Sequence, residues 1–353
     1  MNTREALLIR LTQIIVTMLL LAALAGARPA SAEDKLEKVT IAFAGKGMSF
    51  IMQYVAIGAG FYKEEGLEPD IVNVSSGTRQ AAAVMGGSAD FTQLGMPHTL
   101  RAVARGGDLV AIGSGFDKYP IALVITKTAA QKLGITDAMP PGEKIKRLHG
   151  LKIGITSPGS STDEFMRTIM MVRGMDPDKD VKLQPIGIGA PMVAAMQQGS
   201  ADGFAFMSPF TDIAVSRGIG TIIADPMQGN LPEYQDVPYQ VITTSRKTIE
   251  ARRPILLASE RAMTKAIRLC HEHPDQAKKF VREYFKEVDE ADFNLAFDNY
   301  VRAVPTTPIV TPTQVATTLK MLNLSEKTPL SPTYDQVTDM TMAREAAKAL
   351  LGK

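Results

Sequence analysis

The 353-residue sequence predicts an α/β protein of two similar lobes, each built on a doubly wound sheet, facing each other across a cleft and joined by two hinge crossings. Two observations predict it. The stretch 82–106 recurs 112 positions later as 194–218, with 12 of 25 positions identical and no insertion, among them Gly87/Gly199, Ser88/Ser200, Ala89/Ala201, Asp90/Asp202, Pro97/Pro209 and Gly106/Gly218. A solenoid needs several copies at periods of about 20–50 residues, so two copies at this spacing point to duplicated lobes. The second observation is the alternation of short strand-like and helix-like runs in both halves, the pattern of βαβ units with parallel pairing.

The elements follow in order. Val39 to Phe43 is β-prone, the Gly45-Lys46-Gly47 turn follows, and apolar positions at helical spacing run from Phe50 to Phe61, with Gly66 as the C-cap. Pro69 to Val74 reads as a strand, Arg79 to Met85 as a helix, 90–94 as a strand and 98–105 as a helix. Leu109 to Ser114 and Ile121 to Ile125 supply two more strands of the first lobe. After a polar connector, 140–150, the pattern restarts: strand 151–155, helix 162–172, strand 181–187, helix 190–198, strand 203–207, helix 212–217 and strand 221–224. A last strand, 239–243, precedes helical segments at about 254–273 and 274–284, which are expected to pack back on the first lobe. The expected organisation is therefore residues 33–126 with 241–353 as lobe 1 and 127–240 as lobe 2, with crossings near 125–127 and 238–244.

Arg4 and Arg10, the apolar run from Leu11 to Leu24 and the small-residue pattern Ala30-Ser31-Ala32 read as a secretory signal peptide over residues 1–32, cleaved after Ala32, and so as export to the periplasm. That segment holds three of the 39 basic and one of the 37 acidic side chains, so the remaining chain carries 36 of each. A formally neutral chain argues against nucleic acid or an anionic membrane surface as the main partner. Cys270 is the one cysteine, which leaves no intrachain disulfide and no thiolate metal cluster; it reads as a packing residue.

In open α/β sheets, ligands bind beyond the carboxyl ends of the strands. That rule selects Lys46, Gly47, Met48 and Ser49; Ser75, Ser76, Gly77 and Thr78; and Met96 and His98 in the first lobe. In the second it selects Ser157, Ser160, Ser161 and Thr162, then Met207, Ser208 and Phe210. The hydroxyls at 160–162 precede a helix start and either cap it or meet an anionic ligand there. Ser75 to Thr78 has the same dual character, with Gly77 permitting close approach. Lys46 offers a positive charge, and His98 stands at the repeat position of Phe210. His271 and His273 are two apart on a helix and point away from each other, so no metal site and no cofactor is expected.

Several stretches resemble the substrate-binding proteins of ABC importers for nitrate, sulfonates, taurine and thiamine-precursor pyrimidines. Ala59 to Pro69 (AGFYKEEGLEP) is similar to that family's "GYFKEEGL" element, Gly87 to Asp90 to its "G.AD", and Leu148 to Gly154 with 157–161 to its "L.GK.IG...GS". The resemblance runs in order from Val39 to Arg246. It implies a type II periplasmic-binding fold, a small anionic or polar organic ligand clamped between lobes by hinge closure, a membrane permease as partner, and membrane contact only through that permease; a monomer is expected. The competing readings are an enzyme of the same fold, similar to a pyrimidine synthase, and a ligand-sensing partner of a membrane receptor. The sequence holds no GxSxG, HExxH or P-loop motif, which favours a carrier over an enzyme.

Overall fold

The computed structural model of the chain describes residues 36–74 and 76–352, so the expected leader lies outside the described residues. The first half runs β1 (Glu37–Phe43), α1 (Ile51–Gly58), α2 (Phe61–Glu64), β2 (Leu67–Asn73), α3 (Gly77–Met85), β3 (Phe91–Gly95), α4 (Met96–Ala104) and β4 (Val110–Phe116). The single helix expected up to Phe61 is interrupted after Gly58, because Gly60 adopts φ 78°, a left-handed conformation that an α-helix cannot continue through.

The second half runs β5 (Ala122–Thr126), α5 (Lys127–Lys132), α6 (Pro141–Lys146), β6 (Lys152–Ile155), α7 (Ser161–Met171), β7 (Lys182–Pro185), α8 (Ala190–Gln197), β8 (Gly203–Phe206), α9 (Phe210–Ser216) and β9 (Gly220–Ala224). Helix α6 lies within the polar connector 140–150, with Pro141 in its first turn, where a missing N–H costs nothing. The chain then returns through β10 (Gln240–Thr244) to α10 (Arg246–Glu272), α11 (Pro274–Arg282), α12 (Glu290–Val301), α13 (Pro312–Leu322), α14 (Tyr334–Val337) and α15 (Thr341–Leu351).

Two five-stranded sheets result, ordered β2-β1-β3-β10-β4 and β7-β6-β8-β5-β9. Neither is wholly parallel. β10 runs antiparallel to β3 and β4, and β5 runs antiparallel to β8 and β9. Each antiparallel strand is the first one the chain makes after crossing over, so it enters its sheet from the opposite end. This corrects one expected boundary: 122–126 belongs to the second sheet, and the first crossing falls at 117–121. An apolar run such as Ala-Leu-Val-Ile reads the same whichever sheet receives it.

The duplication extends to strand register. Ile41 lies opposite Ile71 on one side and Phe91 on the other; Ile153, 112 residues on, lies opposite Leu183 and Gly203, each also 112 on. The repeated residues hold backbone. Asp90 Oδ2 accepts the Thr40 N–H at 2.7 Å, and Asp202 Oδ2 accepts the Lys152 N–H at 2.8 Å. Ser88 and Ser200 donate to the carbonyls of Ala83 and Ala195, both at 3.1 Å.

The long helix α10 bends at Arg252 (φ −138°), two residues before Pro254, which cannot donate into the preceding turn. Beyond the bend it packs on α1, α2 and α15, and α15 in turn covers β4, so these helices lie on the first sheet. Cys270 is buried on α10, and burial pushes its thiol up to about 12. It is an inert packing group.

Candidate functional site

Between the carboxyl ends of the two sets of strands lies a cavity whose free space, about 50 Å³, takes a few waters or one compact small molecule. The duplication passes through it. Ala44 and Thr156, Phe50 and Thr162, Ser76 and Ile188, and Gly95 and Met207 all line the cavity, and the members of each pair are 112 residues apart. In three of these pairs one member is polar and the other apolar, and in the fourth a glycine faces a methionine. Like positions of the two lobes therefore contribute unlike chemistry, leaving an apolar portion of the wall at Phe50, Ile188, Phe206 and Met207 and a polar portion of hydroxyls and helix ends.

Two helices begin at the polar wall. Helix α3, from the first lobe, is capped by Ser76, whose side chain accepts the Arg79 N–H; α7, from the second, is capped by Ser160, which accepts the Asp163 N–H. A side-chain cap satisfies one of the four unpaired N–H groups of a first turn and leaves the others available. Ser160, Ser161 and Thr162 all line the cavity with Ser76 and Gly77. Two helix dipoles thus present their positive ends to one small space, each worth about 0.3–1 kcal/mol to an anion and up to about 2 when partly buried. No carboxylate lines the cavity among the described residues, and Lys46 stands at its edge with its ammonium 3.2 Å from Glu287.

The lobes touch along the outer side of these helix starts. Thr78 Oγ1 donates to the Gly159 carbonyl at 3.1 Å, His98 Nε2 meets Ser161 Oγ at 3.1 Å, and Arg101 Nη1 pairs with Glu164 Oε2 at 2.7 Å. His98 is buried, and desolvation, with the Arg101 charge beside it, lowers its pKa to about 4, so it is neutral at physiological pH. On the hinge strand, Tyr239 and Gln240 close the floor. Burial holds the Tyr239 hydroxyl up at about 12, where it stays a hydrogen-bond donor.

A profile of the NMT1-like family matches residues 32–283. The chain belongs to the NMT1-like family. A structure from Bordetella bronchiseptica RB50 superposes on this NMT1-like protein with a TM-score of 0.79 and 24% identity, covering 90% of this chain and 98% of that one. The periplasmic aliphatic sulphonate binding protein SsuA of Escherichia coli superposes with a TM-score of 0.61 and 17% identity, covering 82% and 86%. The nitrate/nitrite binding protein NrtA of Nostoc sp. is 39% identical over 70 residues, a match spanning 20% of this chain and 16% of that protein. The two superpositions establish the two-lobed α/β binding-protein fold for this NMT1-like chain.

Of the residues selected from sequence, Lys46, Ser76, Gly77, Ser160, Ser161, Thr162 and Met207 line the cavity, and Ser75 lies outside the described residues. Gly47, Met48, Ser49 and Ser208 sit in the seam between lobes: the Met48 N–H donates to the Ser208 carbonyl at 3.4 Å, and Ser49 Oγ meets Met207 Sδ at 3.4 Å. Gly47 faces Met207 closely enough that a side chain there has no room. Thr78 and His98 lie on the outer wall, and the Ser157 N–H is spent on Ser160 Oγ. Ser208 Oγ is bonded to Asp212, and the Phe210 ring rests on Gly189.

Met96 does not reach the cleft. It is buried in a separate cluster with Leu100, Val241 and Val315, where Thr318 Oγ1 approaches its sulfur at 3.3 Å. The residue before it, Gly95, faces the cavity, and one step along the chain turns the next side chain to the other face of the sheet. The cavity also holds Ala44, Phe50, Gln80, Thr156, Ile188, Phe206, Tyr239 and Gln240, which sequence reading did not select. Tyr239 and Gln240 carry the one available signal, since they begin the strand already read as a crossing.

Proposed function

We propose that this NMT1-like protein is the solute-binding component of an ABC importer, exported to the periplasm, which captures a small oxyanion with a short apolar substituent and delivers it to a membrane permease. The observation that carries this reading is the convergence of two capped helix N-termini, one from each lobe, on one cavity without a carboxylate in its wall. Each lobe supplies half of the anion seat, so a ligand binds the closed arrangement better than the open one and shifts the hinge equilibrium toward closure. Sulfonates and carboxylates fit this chemistry: their oxygens take up N–H and hydroxyl donors, and a short carbon substituent meets Phe50, Ile188 and Met207.

The Ser161–His98 contact has the atoms of a nucleophile and a base. Catalysis by such a pair needs an imidazole basic near neutral pH and a third group that orients it. Burial holds His98 down at about 4, and among the described residues no carboxylate bonds its ring. The carrier reading is therefore the one supported.

The test is calorimetric titration of the chain lacking residues 1–32 with methanesulfonate, acetate and nitrate, with choline as a cationic control. Saturable binding of at least one anion, weakened by Ser160→Ala with Thr162→Ala, is expected. Binding of choline alone, or of none of the four, overturns the reading.

A further inference from the structure

On the far side of the His98 ring from the cavity lies a second, much larger space, a groove of about 600 Å³ open to solvent. Its walls come from α3, α4 and the start of α7, with Ala81, Ala82 and Met85 giving an apolar stretch beside Arg105 and the Arg101–Glu164 and Arg167–Asp163 ion pairs. The ring contacts three residues of the inner cavity: it bonds Ser161 Oγ, and a Cβ built on Gly77 or Gly95 meets the imidazole at 2.7 Å and 3.2 Å. It also lines the groove itself. The ring therefore stands between the two spaces, with the Thr78–Gly159 hydrogen bond beside it in the same wall.

The packing of this ring on a glycine recurs in the duplication. At the equivalent place in the second lobe, the Phe210 ring lies over Gly189, 2.8 Å from where a Cβ there sits. Gly77 and Gly189 are 112 residues apart, as are His98 and Phe210. In both lobes a flat ring from the helix that follows the matched strand, β3 in the first and β8 in the second, packs on a bare glycine at the start of the preceding helix. In the second lobe a phenyl does this by packing alone. In the first the ring carries a nitrogen that reaches the other lobe.

We infer that the His98 imidazole is the wall that limits the length of the captured molecule, and that removing it joins the cavity to the apolar groove so that oxyanions with longer chains are accepted. The inference rests on the reading of the inner cavity as the oxyanion seat. The head group keeps its donors at the starts of α3 and α7, and an alkyl chain passes between Gly77 and Ser161 onto Ala81, Ala82 and Met85. His98 is a size-determining residue; it is not part of the seat itself.

The experiment titrates methanesulfonate, butanesulfonate and octanesulfonate into the chain lacking residues 1–32, as wild type, His98→Ala and His98→Phe. Wild type is expected to favour methanesulfonate over octanesulfonate by about tenfold or more, the scale at which a closed pocket wall discriminates added methylenes. His98→Ala is expected to lose or reverse that preference while still binding methanesulfonate. His98→Phe, which restores a flat ring on glycine as Phe210 does, is expected to keep the wild-type order. A general loss of structure lowers all three affinities together and does not reorder them; if His98→Ala fails to fold, His98→Ser tests the same truncation. An unchanged preference in a truncated variant that binds methanesulfonate overturns the inference and leaves the seat intact. Absence of binding by wild type overturns the seat, and the inference with it.

Discussion

Arg101 and Glu164 meet across the cleft, guanidinium Nη1 to carboxylate Oε2 at 2.7 Å, and Glu326 on the C-terminal segment holds the same guanidinium through its Nε. The Glu164 side chain is only 4% exposed, and its other oxygen is buried without a hydrogen-bond partner. In the hinge motion proposed above the pair is made only while the lobes are together, so closure depends on two charges that water solvates once the lobes part.

Replacing Arg101 with Met is expected to act on closure before it acts on folding. A buried charge stripped of its partner costs about 3–5 kcal/mol, and the protein avoids most of that cost by opening. Ligand affinity should fall by about tenfold to several hundredfold, since the binding-competent form becomes a minor one. Small-angle scattering at saturating ligand should show a larger radius of gyration for Arg101→Met than for wild type. Equal radii and equal affinities would remove the latch role.

His98 gives the stability a definite acid dependence. Its folded pKa, about 4, lies below that of an exposed imidazole, so the unfolded chain binds the proton more readily. The contribution of neutral His98 is full above about 6.5 and is lost as pH falls toward the folded value. Melting temperatures of His98→Phe should therefore fall less between neutral pH and mild acid than those of wild type. Parallel curves would mean that the ring titrates as if exposed.

Glu260 works in the opposite direction. It is 1% exposed on α10, neither carboxyl oxygen has a hydrogen-bond partner, and burial pushes its pKa well above the usual range. The folded chain thus binds this proton more tightly than the unfolded one, and the associated stability is full below the unfolded pKa and lost as pH rises through the folded value. Glu260→Gln removes the ionisation at nearly constant volume. Urea unfolding should show its gain over wild type to be larger at mildly alkaline pH than at mildly acidic pH; a gain that does not vary with pH counts against a titrating Glu260.

The two-lobed fold was legible because the repeated residues are the ones that hold backbone. Asp90 and Asp202, Ser88 and Ser200, and Gly87 and Gly199 have little freedom to change, so the duplication survives in letters. The cavity was only half legible for the converse reason. Its paired positions, 44 with 156, 50 with 162, 76 with 188 and 95 with 207, differ in every case, because an asymmetric ligand wall requires unlike chemistry at like places. The hydroxyl turns announced themselves as helix starts, whereas Phe50, Ile188 and Phe206 look like any core residue until the lobes are brought together. The contact of His98 with Gly77 joins positions 21 apart in sequence across a strand, and no local pattern encodes it.

The duplicated aspartates allow one interaction to be measured in two settings. Asp202 accepts the Lys152 N–H at 2.8 Å, and no ion pair reaches it among the described residues. Asp90 is buried, accepts the Thr40 N–H at 2.7 Å, and in addition meets the Arg252 guanidinium, whose second nitrogen bonds the Lys38 carbonyl at 2.7 Å. Asp202→Ala should therefore cost about 0.5–1.5 kcal/mol, the net worth of one hydrogen bond. Asp90→Ala removes that bond and also takes from the Arg252 guanidinium its nearer carboxylate, leaving it the Lys38 carbonyl and Glu37 at 3.7 Å, and should cost about 1–3 kcal/mol. Since the two sites share strand register, turn and flanking glycine, the difference between the variants isolates the Arg252 contribution, and Arg252→Ala with Asp90→Ala should cost less than the sum of the two single changes. Urea unfolding of all four variants measures it. A cost for Asp202→Ala equal to that of Asp90→Ala would show that Arg252 adds nothing to the strand clamp.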